Sequence, residues 1–63
     1  DGDSALTGPV ARGDAGTVRG HLAALGRDDR VLYAALGRAA LSLARDAGLD
    51  AGRAAEVGRA LDG

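Results

Sequence analysis

Apolar positions recur along this chain with the period of helices, not strands. Over residues 15–25, Val18, Leu22 and Leu25 stand at i, i+4 and i+7, which places them on one stripe of a helix. Asp14, directly ahead, suits an N-cap, its carboxylate accepting from backbone N–H groups two and three residues on. Gly26 suits the position just past the end of this helix. Arg27-Asp28-Asp29 forms the next break, and either aspartate is expected to cap a second helix over residues 30–47. That helix carries two apolar stripes: Leu32, Leu36, Ala39 and Leu43, then Tyr33, Gly37, Ala40 and Ala44. Arg38, Ser42 and Arg45 mark its wet face. Two stripes on one helix predict neighbours on two sides, which makes it the centre of the packing. Gly48 ends it, and Leu49 is placed to fold back on Leu43 or Ala44. Asp50 then caps a third helix over residues 51–61, with Ala54, Val57 and Leu61 on one face.

Upstream, residues 1–6 are expected to be a tail and residues 7–13 a loop. Pro9 is not expected to sit inside a helix at all, and it biases Gly8 toward extended geometry. The fold class is therefore all-α, one domain spanning residues 1–63, built as a small three-helix bundle. Gly16, Gly20, Gly37, Gly52 and Gly58 all fall inside the expected helices, each at a cost of about 1 kcal/mol relative to alanine. Close helix approach offsets that cost, and it is expected at Gly37, among Ala40 and Ala44.

Composition weakens the picture of a self-sufficient globule. Of 63 residues, 46% are apolar, but fifteen are alanine, and Phe, Met and Trp are absent. Such a core is thin for a lone small domain, so a second copy or a further domain is expected to complete it. The absence of methionine points the same way, to a piece of a longer protein. No apolar run is long enough to span a bilayer, and there is no charged-then-apolar leader. Net charge is −1, with both signs scattered along the chain, which argues against nucleic-acid and anionic-membrane partners. The expected location is cytoplasmic. Cysteine is absent and there is one histidine, so no metal site is expected.

Candidate chemistry is sparse. A glycine-punctuated turn bearing Arg12 ahead of a helix could hold an anion on free N–H groups. However, Gly13-Asp14-Ala15-Gly16-Thr17 lacks the Lys-Ser/Thr of a phosphate loop, no strand precedes it, and Asp14 would repel the ligand. Arg12-Gly13-Asp14 also spells an adhesion tripeptide, but Asp14 is better used as a cap. His21, flanking the apolar stripe, fits a half-buried structural role better than a general acid or base. Tyr33, the only aromatic, fits the core or an interface, with its hydroxyl partnered. Asp28-Asp29 is an unconvincing acid/base or metal pair.

The run Thr7-Gly8-Pro9-Val10-Ala11-Arg12-Gly13-Asp14-Ala15-Gly16-Thr17-Val18, followed by His21-Leu22 and Leu25, resembles the C-terminal helical domain of a bacterial group of Rossmann-like oxidoreductase-type proteins. That domain is of uncharacterised function and is similar to the C-terminal domain of 6-phosphogluconate dehydrogenase. Beyond Tyr33 the likeness is compositional: a long Ala/Leu helix, then a short one behind Gly48-Leu49-Asp50. The resemblance implies a domain that dimerises and closes one side of a cleft against an N-terminal nucleotide-binding domain, with Arg12, Thr7 and His21 facing the cleft. It implies NAD(P) in the parent protein. This chain itself has no G-x-G-x-x-G after a strand, so no cofactor-binding residues and no turnover are expected of it alone. The other class of function consistent with the sequence is a self-contained helical interaction module with no enzymatic role.

Overall fold

The computed structural model describes residues 2–63, and side chains from residue 7 onward. Among these the chain is all helical: α1 Gly2–Arg12, α2 Ala15–Ala24, α3 Arg27–Asp46 and α4 Ala51–Asp62. The fold class is as expected, but the helix count is four. Of the segment expected as a tail (1–6) and loop (7–13), residues 2–12 form α1 instead, with Pro9 inside it, and Asp1 lies outside the described residues. A proline this deep removes one backbone bond and costs about 3 kcal/mol. Burial opposes that cost: Pro9 and Val10 are both buried, Val10 completely, where α1 lies on α3. The helix also ends well. Gly13 takes a left-handed φ of 72°, its N–H donates to the Val10 carbonyl at 3.1 Å, and Asp14 N–H donates to the Pro9 carbonyl at 2.8 Å. These two bonds satisfy carbonyls that a helix C-terminus otherwise leaves open. Gly13 is thus the stop signal of a helix and not part of a loop.

The other boundaries follow local chemistry. Asp14 caps α2 as expected, its carboxylate accepting from Thr17 N–H. Gly26 does not adopt a left-handed turn. It is the N-cap of α3, with no side-chain cap bond, so α3 starts at Arg27 and not at residue 30. Asp28 and Asp29 consequently lie in the first turn and not at the cap position, where their charge favours the positive end of the helix dipole. Gly48, with φ of 103°, closes α3 by the same paired bonding seen at Gly13: Gly48 N–H to Arg45 O and Leu49 N–H to Ala44 O. Asp50 caps α4 through Arg53 N–H.

The α1–α2 turn docks on the start of α4. A methyl group at Gly13 would lie 2.6 Å from Arg53 Cβ and 3.2 Å from a Leu49 methyl, and the Arg53 guanidinium donates to the Arg12 carbonyl at 3.4 Å. From this shared end, α2 and α4 run the same way, antiparallel to α1 and α3. The core between them holds Val10, Val18, Leu22, Tyr33, Leu41, Val57 and Leu61, with alanines filling the remainder. The expected apolar faces of α2 and α4 are buried, except that Leu25 is half-buried. At α3 the two stripes separate. Tyr33, Gly37 and Ala44 are buried and Ala40 half-buried, whereas Leu32, Leu36 and Leu43 are exposed.

Candidate functional site

The three candidate cleft residues occupy different surroundings. Thr7 is exposed on α1. Arg12, in the last turn of α1, has its guanidinium lying back over Gly8 and 3.8 Å from the Asp14 carboxylate. His21 is half-buried on α2. Two cavities formed by α2, α3 and α4 include none of the three in their walls.

The turn beneath Arg12 is unsuited to an anion. The N–H groups of Gly13 and Asp14 are spent on the Val10 and Pro9 carbonyls, and that of Thr17 on Asp14. Asp14 also accepts from the Thr17 hydroxyl at 2.7 Å. The two bonds from Thr17, hydroxyl first, hold the Asp14 carboxyl below the usual aspartate range, so a negative charge stands at the position where an anion would bind.

His21 has a partner that spacing could not reveal. Its Nδ1 and the Tyr33 hydroxyl are 3.0 Å apart, with the donor set by the imidazole tautomer. The rings meet edge to face, centroids 5.9 Å apart and planes at 83°. Burial pushes the Tyr33 phenol pKa up, so it stays protonated. A neutral, buried phenol bonded to one imidazole, with no nucleophile or carboxylate among the described residues bonded to either, is a lock between α2 and α3. Among the described residues no group of His, Asp or Glu could hold a metal ion, and no buried side-chain polar atom lacks a partner.

The feature that does stand out is the outer face of α3. Among the described residues the exposed large apolar side chains there are Leu32, Leu36 and Leu43, at 59%, 45% and 71%, while Val31, at 67%, stands round the helix toward α2 and α4. Leu32, Leu36, Ala39 and Leu43 are spaced 4, 3 and 4 residues apart, which sets them in one seam about 17 Å long at 1.5 Å per residue. Acidic side chains stand at both ends of the seam: Asp28 and Asp29 before it, Asp46 after it. Among the described residues no helix is long and apolar enough to cross a membrane.

Comparison with known proteins gives one match. The model of a domain of unknown function, DUF2520, matches residues 1–40, which takes in α1, α2 and α3 through Ala40. No curated protein and no solved structure matches the chain.

Proposed function

This chain belongs to the DUF2520 family of domains of unknown function, and from that premise we propose that it is an association domain: the dimer-forming, substrate-side half of a Rossmann-like, NAD(P)-dependent oxidoreductase homologue. The oxidoreductase assignment is supported by the resemblance carried by Thr7–Val18, His21, Leu22 and Leu25. In that setting Arg12, Thr7 and His21 belong to the side turned to the nucleotide domain. The chain supplies no dinucleotide fingerprint, so hydride chemistry belongs to the nucleotide domain and this one contributes shape and association.

The observation that carries the association half is the exposure of Leu32, Leu36 and Leu43 on a helix whose other stripe is already buried. A second copy offers the same seam to a two-fold partner, and each leucine then leaves water against a leucine or Ala39. Ala39 lets the two axes approach. Fully aligned helices would set Asp29 beside Asp46 of the other copy, so the pair is expected to cross at an angle with its ends apart. Sedimentation equilibrium at micromolar concentration tests this. The unaltered chain should run as a dimer, and Leu36→Glu and Leu43→Glu should each run as monomers with helical content retained, since both positions are exposed in one copy. A stable monomer for the unaltered chain, or dimers for both variants, refutes the assignment.

A further inference from the structure

The eight arginines are dispersed along the sequence but not in space. Arg27, Arg30 and Arg38 line a cavity of about 380 Å³ together with Leu22 and Leu61. Arg19, Arg30 and Arg59 line an adjoining one of about 500 Å³, floored by Leu22 and Ala60. Arg30, Leu22 and Gly63 belong to both, so the two form one groove between the later turns of α2 and α4 and the first half of α3. Five arginines thus border the end of the bundle opposite Gly13 and Arg53. The acidic side chain in the groove is Asp62, and it is committed to Arg38 at 3.3 Å. The other ion pair among the described residues is Arg12–Asp14, so Arg19, Arg27, Arg30 and Arg59 have no carboxylate of a described residue within ion-pair distance.

Gathering arginines around an apolar floor sets like charges on one face, where surrounding water screens their repulsion. The gathering becomes favourable when a ligand supplies the opposite charge. We propose that this groove binds a small organic diphosphate, with the phosphates held by Arg30 and its neighbours and the organic body on Leu22, Leu61 and Ala60. Guanidinium forks match phosphate oxygens in pairs, and a diphosphate concentrates several negative charges in the span that adjoining arginines can reach. A nucleic-acid strand fits less well. The one aromatic side chain, Tyr33, is buried against His21 and offers no stacking platform. The groove lies on a different side of α3 from the leucine seam, so this inference stands or falls independently of dimer formation.

The test is isothermal titration of the 63-residue chain with inorganic pyrophosphate and with adenosine diphosphate, adenosine serving as the uncharged control. Both anions should bind one to one and raise Tm, and adenosine should do neither. Arg30→Gln and Arg59→Gln, on different helices, should each weaken binding about tenfold, the loss of one charge-assisted pair. Arg45→Gln, outside the groove, should bind as the unaltered chain does, and circular dichroism confirms that each variant folds. The proposal is overturned if sodium chloride at matched ionic strength gives the same rise in Tm, if Arg45→Gln loses as much as Arg30→Gln, or if adenosine binds as well as its diphosphate. Tighter binding of a single-stranded oligonucleotide or of polyglutamate through the same arginines would also overturn it.

Discussion

A single methyl group added at Gly37 tests how closely α3 and α4 approach. Its carbon would lie 2.7 Å and 3.2 Å from the two Leu61 methyls and 3.5 Å from Leu61 Cγ. Leu61 is 4% exposed and belongs to the core, so moving its methyls aside would disturb that packing or push them into the groove it borders. Alanine in place of glycine favours a helix interior by about 1 kcal/mol. Overpacking a closed core costs about 1–3 kcal/mol, so Gly37→Ala should destabilise by about 1 kcal/mol net. Gly20 gives the contrast. It is mid-helix in α2 with no atom within 4 Å of the added carbon, so Gly20→Ala should stabilise by about 1 kcal/mol. The same substitution therefore splits by about 2 kcal/mol, or roughly 8–16 °C in Tm for a domain of this size. Urea unfolding at fixed protein concentration, with unchanged slope, measures both. In a Leu61→Val background the obstructing methyls are gone, and Gly37→Ala should then become stabilising. If Gly37→Ala stabilises the unaltered chain as much as Gly20→Ala does, the close approach is not there.

Two further perturbations read the polar contacts. Tyr33→Phe removes the bond to His21 Nδ1 and should cost about 1 kcal/mol. Because burial raises the Tyr33 pKa, its contribution is complete below the unfolded phenol value of 10.0 and is lost as pH rises through the folded value. The chain has one tyrosine and no tryptophan, so its phenolate absorbance reports that titration directly, and a midpoint at or below that of free tyrosine would contradict the burial. Asp14→Ala should lower Tm at neutral pH by removing the α2 cap. The Asp14 pKa is lowered, so the contribution is present above the unfolded value of 3.8 and disappears as pH falls through the folded value. A gap in Tm between the two proteins that persists undiminished well below pH 3.8 would show that the carboxylate is not the cap.

Much of the fold is legible in the residues because its cues are local. Asp14 and Asp50 cap through N–H groups three residues on, Gly48 stops α3 with the backbone bond to Leu49 that such a stop brings, and the stripes on α2 and α4 follow a 3.6-residue period. The sequence likewise shows that α3 has two apolar faces. Which face is covered within one copy is a tertiary outcome: Gly37 admits Leu61, and the leucine-bearing stripe is left to solvent. α1 was hidden because local rules weigh Pro9 as a breaker, while burial of Pro9 and Val10 against α3 involves residues far along the chain. The His21–Tyr33 contact spans twelve positions and two helices, and the arginine groove draws on three, so no spacing rule reaches either. Period and caps act over a few residues of backbone and are written in order along the chain. Partners that meet only when helices pack depend on where every helix lies, and folding alone decides them.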